Sequence, residues 1–263
     1  MKVALLGAGN VAMHISKALI KAGYPIKQVW SRNHQNAIDL ALEIGANSIS
    51  QISDLNSQID VVIIAVSDSA IENVVSQIPV LNQQQLILHT SGSTGLSVLE
   101  KHAQNCGVLY PLQTFSKDHD LDFSTIPLLI EANHYRAEEQ LLMIAKQLSQ
   151  KVEKVNSEKR MRIHVSAVFA CNFTNHFYAI AEKLVQDTDL SFELLRPLII
   201  ETAQKAMLNS PIAVQTGPAK RNDKITINKH LELLKNNPQL QNLYATVSQD
   251  IVKMYQSPDL SHK

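Results

Sequence analysis

The chain has little that would draw it to a charged surface. Lysine and arginine total 24, aspartate and glutamate total 24, and the formal net charge is zero. No long basic run interrupts that balance, so nucleic-acid binding has no electrostatic support. Long apolar runs are missing too. No stretch reaches the roughly 18 residues that would span a membrane. Cysteine is scarce: Cys106 and Cys171 are the only two, and they stand apart, without metal-ligand spacing. They read as reduced, partly buried thiols of a cytoplasmic protein. The chain enters a strand at Val3, which leaves no room for a signal peptide. Asn172-Phe173-Thr174 fits a glycosylation sequon, but it falls within an amphipathic helix of a chain read as cytoplasmic. There is no internal repeat and no low-complexity segment. The polar tail after Ser257 reads as frayed.

What is present begins at Val3. Val3 to Leu6 is a short apolar run, the signature of a buried strand. Gly7, Gly9 and Ala12 then fill a G-x-G-x-x-A pattern, and His14 to Ala22 continues as a helix. In that strand–turn–helix context the motif has a physical meaning. Gly7 permits the tight turn, Gly9 lets a pyrophosphate approach the backbone, and Ala12 lets the helix pack closely on the strand. Free N–H groups at the helix start favour an anion. A plain tight turn is the alternative; a bound dinucleotide fits better, with Gly7, Gly9, Asn10 and Val11 at the pyrophosphate. The second strand, Ile26 to Trp30, ends in Ser31-Arg32-Asn33, where an NAD site usually has an acid for the ribose 2′-hydroxyl. The next acid, Asp39, lies well inside the following helix. Ser31 and Arg32 suit a 2′-phosphate, because a guanidinium offers a fork of donors to phosphate oxygens. The expected cofactor is therefore NADP rather than NAD, unless Arg32 is only a solvated loop residue.

Two rhythms divide the chain. Up to about residue 155, strands alternate with helices. Strands are expected at Val3–Leu6, Ile26–Trp30, Val61–Val66, Leu86–His89, Val108–Tyr110 and Pro127–Glu131, with shorter ones at Ser48–Ile49 and Val152–Val155. Helices are expected at Asn33–Ile44, Ala70–Ile78 and Tyr135–Gln150. Such alternation implies βαβ units and a parallel sheet. Beyond 155 come only amphipathic helical stretches: Lys159–Val185, Phe192–Asn209, and His230–Tyr255 split at Asn236-Asn237-Pro238. The fold class is α/β: a doubly wound dinucleotide-binding domain over 1–155, then an all-α domain over 156–263 for substrate binding and dimerisation. With 263 residues, 45% of them hydrophobic, two modest domains can each bury a core.

Ligands in such sheets bind outside the carboxyl ends of the strands, so the residues just after each strand are the candidates. Val66 and Ser67 should pass near the cofactor, with Asp68 reading best as a cap for the next helix. His89 closes a strand and opens His89-Thr90-Ser91-Gly92-Ser93-Thr94-Gly95. It is either a proton-exchanging group or a histidine that simply bonds its loop; Ser91, Gly92 and Ser93 can hold a polar substrate. Tyr110 and Gln113 can face the cleft between the domains, whereas Phe115 reads as core. On the long helix, Asn172 and His176 interrupt a face of 3-and-4 spacing. They either lock the helix to its neighbours or face substrate. Arg221 and Asp223, in Thr216–Asp223, either pair locally or bind a charged group, on a loop of the kind that often carries function.

Together these pieces resemble the 6-phosphogluconate and β-hydroxyacid dehydrogenase superfamily along the whole chain. More closely, they are similar to a branch that joins a Rossmann-like domain to a helical domain of unknown function (number 2520), of NADP oxidoreductase type. The residues that carry the likeness are GAGNVA at 7–12, SR at 31–32, HTSGS at 89–93, YPLQTF at 110–115, ACNFTN at 170–175 and GPAKRND at 217–223. The resemblance implies hydride transfer with a small polar carbonyl, hydroxy-acid or imine in an interdomain cleft, with a homodimer formed through the helical domain. Many of the superfamily's hydroxyacid dehydrogenases carry a lysine four residues before an asparagine on the long helix. If Asn172 matches that asparagine, Val168 stands at the lysine position. Proton transfer then needs a substitute such as His89 or His176. The departure also leaves open a non-catalytic NADP(H)-binding sensor or regulatory protein.

Overall fold

A computed structural model describes residues 1–79, 84–117 and 121–256. The frayed tail expected after Ser257 lies outside them. The chain forms two compact units, Met1–Tyr178 and Ala179–Lys263.

The first unit is built on eight strands: β1 (Val3–Leu6), β2 (Ile26–Trp30), β3 (Asn47–Ile49), β4 (Val61–Ile64), β5 (Leu86–His89), β6 (Asn105–Pro111), β7 (Leu128–Ala132) and β8 (Val152–Lys154). They lie in the order β3-β2-β1-β4-β5-β6-β7-β8. Every pairing is parallel except β6 with β7. The central strands are apolar on both faces: β1 is VALL, β4 is VVII, and every residue of each is buried. Such runs belong to a parallel sheet covered on both sides. The short outer strands β3 and β8 carry polar residues and are largely unburied.

Helices cover each face. They are α1 (Asn10–Lys21), α2 (His34–Ile44), α3 (Ile71–Val75), α4 (Ser97–Glu100) and α5 (Tyr135–Leu148). One core packs Ile15 and Leu19 of α1 and Leu141 and Ile144 of α5 on Leu5, Ile63 and Leu88. The other packs Ile71, Val74 and Leu99 on Leu6, Ile64 and Val108. The order in which successive strands are laid down reverses between β1 and β4, at the middle of the sheet. In sheets of this kind that switch point is where a crevice opens.

After β8 the described residues are helical. α6 (Ser157–Ala167) starts at Asn156, whose side chain accepts from the Lys159 N–H. It runs into a π-helical turn, Val168–Phe173, and then α7 (Thr174–Gln186). Lys159–Val185 is thus continuous, as its pattern predicts, but wound differently in the middle. The second unit holds the end of α7, then α8 (Arg196–Leu208), α9 (Pro211–Val214), α10 (Lys224–Leu233) and α11 (Pro238–Gln256). Within it, Tyr255 Oη donates to the Ile212 carbonyl at 2.7 Å, and His230 Nδ1 lies 2.6 Å from Tyr244 Oη. No helix among the described residues is long and apolar enough to cross a membrane. Cys106 and Cys171 are both free. Cys106 is buried, and burial, then the Glu100 carboxylate, pushes its thiol up to about 12. Cys171 is exposed rather than partly buried.

Candidate functional site

A cavity of about 790 Å³ opens at the carboxyl ends of β1, β2, β4, β5 and β6, and all the residues lining it belong to the first unit. Its floor is the glycine turn. Gly7 sits at φ +126°, and a Cβ there would lie 2.1 Å from the Ala65 carbonyl oxygen, so no other residue fits without moving β4's end. A Cβ on Gly9 would meet nothing within 4 Å. That open space is the room a pyrophosphate needs against the backbone. Gly9 is also the N-cap of α1. No side chain caps this helix, and its first turn holds no acid. Its leading N–H groups therefore keep their capacity for an outside anion. Asn10 and Val11 line the same floor.

The β2 end gives the next wall. Ser31 and Arg32 line the cavity, while Asn33 is spent on capping α2, accepting from the Gln35 N–H at 3.1 Å. Asp39 accepts from Gln35 Nε2 on α2, so no acid stands at this strand end. Among the described residues Arg32 makes no ion pair, and its fork of donors remains available. Val66 and Ser67 line the cavity after β4. Asp68 does not cap the following helix: Ser67 holds the N-cap position, and the Asp68 carboxylate instead accepts the Ser93 hydroxyl. On the far side, Asn10 Nδ2 donates to the Phe115 carbonyl at 2.9 Å, and His14 Nε2 lies 2.8 Å from the Ser116 carbonyl. These bonds tie the start of α1 to the segment after β6.

The loop after β5 is self-braced. Ser91 Oγ accepts from the N–H groups of Ser93 and Thr94 and donates to Thr94 Oγ1. Ser91 and Gly92 reach the cavity; Ser93 turns away to Asp68. His89 does not line the cavity. It is fully buried, and its Nδ1 accepts from the Ser91 N–H at 3.2 Å. The proton must then sit on Nε2, for which no well-formed hydrogen bond exists among the described residues. Burial lowers its pKa to about 4, and the Arg160 guanidinium adds to the shift, against weaker opposition from the Gly95 carbonyl and Asp68. At neutral pH it is an uncharged strut beneath the loop.

Two other rings stand where His89 was expected. Tyr110, at the end of β6, and His164, on α6, both line the cavity, with Tyr110 Oη 3.0 Å from His164 Nδ1. Burial and the Asp68 carboxylate raise the Tyr110 pKa, and Cys171 adds a little while Arg160 opposes. The phenol stays protonated at neutral pH. One turn before His164, Arg160 is only 1% exposed. Its Nη1 pairs with Glu131, and its Nη2 donates to the Thr94 carbonyl at 2.5 Å and to Ser157 Oγ at 3.3 Å. Glu131 also accepts from Ser157 N and Oγ. Strand β7, helix α6 and the loop after β5 are thereby joined through one guanidinium. Neither His164 nor Arg160 stands out in the sequence. Their spacing of four, which places both on one helix face, is the available signal.

Asn172 and His176 are exposed and do not line the cavity. The 3-and-4 spacing that grouped them runs across the π turn, which takes an extra residue and so rotates the rest of the helix. Arg221 and Asp223 lie in the second unit. No ion pair joins them among the described residues; Asp223 caps α10, accepting from Thr226 N and Oγ1 at 3.1 and 2.7 Å. Those bonds from Thr226 hold its carboxyl below the usual range, with Arg221 a minor contributor.

Known proteins share this fold. Residues 2–92 match the family described as NADP oxidoreductase, coenzyme F420-dependent, and residues 126–251 match a domain of unknown function, DUF2520. A crystal structure of a candidate NADP oxidoreductase from Bacteroides fragilis is 38% identical, with 96% of this chain and 98% of that one covered and a TM-score of 0.88. A reductive aminase from Aspergillus terreus, solved with NADPH and ethyl-5-oxohexanoate, is 14% identical over 97% of this chain and 98% of its own, with a TM-score of 0.69. A 1-pyrroline-5-carboxylate reductase from Streptococcus pyogenes is 14% identical over 98% and 99%, with a TM-score of 0.63. The last two show a shared fold. Among curated proteins none matches the chain.

Proposed function

We propose that this chain, which belongs to the NADP oxidoreductase family joining an F420-dependent-type dinucleotide domain to DUF2520, transfers a hydride between NADP and a small polar carbonyl, hydroxy-acid or imine. One observation carries the reading. A single cavity runs from an uncapped glycine turn and an acid-free Ser31-Arg32 end to a tyrosine–histidine pair. Gly7, Gly9, Asn10 and Val11 would hold the pyrophosphate, Ser31 and Arg32 the 2′-phosphate, and Val66 and Ser67 would border the path toward the nicotinamide. When bound, the cofactor supplies or accepts the hydride. The chain's own residues orient the substrate and move the proton. Ser91 and Gly92 line the same space. The A. terreus protein is a reductive aminase solved with a keto ester, and the S. pyogenes protein is a reductase of 1-pyrroline-5-carboxylate. Both support an electrophilic C=O or C=N carbon as the hydride acceptor.

A homodimer belongs to the same reading. Phe169, Phe173 and Phe177 follow one another at four-residue spacing and are 64%, 45% and 43% exposed. Within the second unit Leu198, Met207 and Leu208 are exposed as well. Exposed apolar side chains of this kind mark an association face, and a second copy supplies a matching face through the helices beyond residue 160.

Calorimetry with NADPH and NADH tests the cofactor assignment. NADPH binds more tightly, and Arg32→Ala weakens NADPH by roughly 1.5–3 kcal/mol, the usual worth of a charge-assisted bond, while leaving NADH unchanged. NADH binding as well as NADPH in the parent protein refutes it. Loss of NADPH absorbance with glyoxylate, ethyl levulinate, cyclohexanone plus an amine, or 1-pyrroline-5-carboxylate tests the chemistry. A chain that binds NADPH and reduces none of them is a non-catalytic NADP(H)-binding protein instead.

A further inference from the structure

We infer that Tyr110 and His164 form a proton relay, delivering a proton to the substrate's oxygen or nitrogen as the adjacent carbon receives the hydride. The inference rests on the hydride-transfer reading above. Both rings line the cavity, 3.0 Å apart between Oη and Nδ1, in an edge-to-face arrangement with centroids 5.8 Å apart. Both are half-buried, so the imidazole can exchange with solvent while the phenol faces the cavity.

Three features of the chain hold the pair in place. Arg160, one turn earlier on α6, is clamped to Glu131 and to the Thr94 carbonyl, which fixes the height of His164 above the sheet. Tyr110 stands near the end of β6, held there by its pairing with Leu129 of β7. Gly92 completes the fit. A Cβ there would lie 2.6 Å from His164 Nδ1 and 2.7 Å from Tyr110 Cζ. Only a residue with no side chain lets the loop's backbone lie against the pair. The loop that presents Ser91 and the rings that move the proton therefore share one wall.

The alternatives are engaged or unfit. His89 is buried, and its Nδ1 is already engaged by the Ser91 N–H. Asp68 also lines the cavity, but its carboxylate is an acceptor already bonded to the Ser93 hydroxyl. Val168 cannot exchange a proton.

For a carbonyl substrate the C=O π bond opens. Its carbon takes the hydride that reduced NADP supplies, and its oxygen takes the Tyr110 hydroxyl proton. The Nδ1 proton of the His164 imidazolium passes to the tyrosine oxygen, leaving a neutral imidazole that recovers a proton from solvent. The substrate gains two electrons and two hydrogens and leaves as an alcohol, with NADP⁺ as the oxidised product. For an imine the same proton goes to nitrogen and an amine leaves.

Tyr110→Phe and His164→Asn test the relay. The amide of His164→Asn can keep a hydrogen bond to Tyr110 Oη but cannot titrate. General-acid help is worth roughly 10²–10⁴-fold, so Tyr110→Phe lowers kcat at least about tenfold on the substrates above, with NADPH affinity within about twofold of the parent. In the parent, kcat for reduction falls as the pH rises, because the relay takes up a proton at each turnover. In His164→Asn that fall disappears. NMR of the His164 ring gives a reading independent of turnover: its titration midpoint moves in Tyr110→Phe with NADPH bound. Full turnover in Tyr110→Phe, or an unchanged pH profile in His164→Asn, overturns the relay while the hydride-transfer reading stands. Variants that lose NADPH binding as well as turnover show a structural role and also overturn it. A parent that binds NADPH but reduces no substrate removes the reading itself, and the relay with it.

Discussion

Replacing Arg160 with methionine removes one buried charge and leaves its partner in place. The guanidinium is 1% exposed, and Glu131 is 16% exposed. Breaking a buried pair by deleting one member costs roughly 3–5 kcal/mol, because the remaining charge is left uncompensated. Two details place this case at the low end. Glu131 keeps two donors, Ser157 N at 2.9 Å and Ser157 Oγ at 2.8 Å, and it retains some contact with water. Against that, the half-buried Thr94 carbonyl loses its donor, at the low end of the about 1–3 kcal/mol that an unmet buried acceptor costs. Arg160→Met should therefore destabilise the first unit by about 3 kcal/mol. For a unit of this size, Met1–Tyr178, each kcal/mol shifts Tm by roughly 2–4 °C, so melting should fall by about 10 °C. Adding Glu131→Gln should return part of the loss, since a neutral amide needs no counter-charge. Thermal melts of the parent, both single variants and the double variant complete the cycle. An Arg160→Met protein within about 1 kcal/mol of the parent, or a double variant no more stable than Arg160→Met, would refute the argument.

Acid stability and assembly give two more expected outcomes. The unfolded His89 imidazole takes up its proton near 6.5, the folded one only near 4; between those values the unfolded chain binds more protons, so stability falls on acidification through that window, by about 3 kcal/mol at its acid end. Urea titrations from pH 7 to 4 should show a shallower loss in His89→Gln than in the parent, and parallel curves would remove His89 as the cause. Sedimentation at micromolar concentration should find a dimer, and a monomer would count against association through the exposed phenylalanine row on the π turn and α7.

The ends of β1, β2 and β5 fall at the residues expected of them, Val3–Leu6, Ile26–Trp30 and Leu86–His89, because short apolar runs beside turn residues leave little choice of boundary. Elsewhere tertiary pairing moves the limits. β6 begins at Asn105 rather than Val108, since Asn105 and Cys106 pair with Leu86 and Ile87 of β5, and from Gly107 the strand pairs with β7 as well. α3 stops at Val75 instead of Ile78, because the last turn tightens: Gln77 N and Ile78 N reach back only three residues, to Val74 and Val75.

The site divides along the same line. The glycine turn and Ser31-Arg32 are local, each set by a strand and the residues directly after it, and both were legible. The Tyr110–His164 and Arg160–Glu131 contacts join positions 54 and 29 residues apart, and no local pattern announces such a pairing. His89 shows why a titratable residue at a strand end is not by itself a candidate acid. It pairs in register with Ile64 on β4 and Val108 on β6. By the two-residue alternation of strands it shares their face, the one packed with Ile87 and Cys106. A strand residue reaches the crevice only where a neighbouring strand has ended, and at His89 both β4 and β6 still run alongside. Tyr110 sits two residues beyond Val108, on that same face but higher, past the last rung that β5 shares with β6. One step of the pleat separates a buried strut from a residue on the cavity wall, and that step depends on where the neighbouring strands end rather than on the residues at either position.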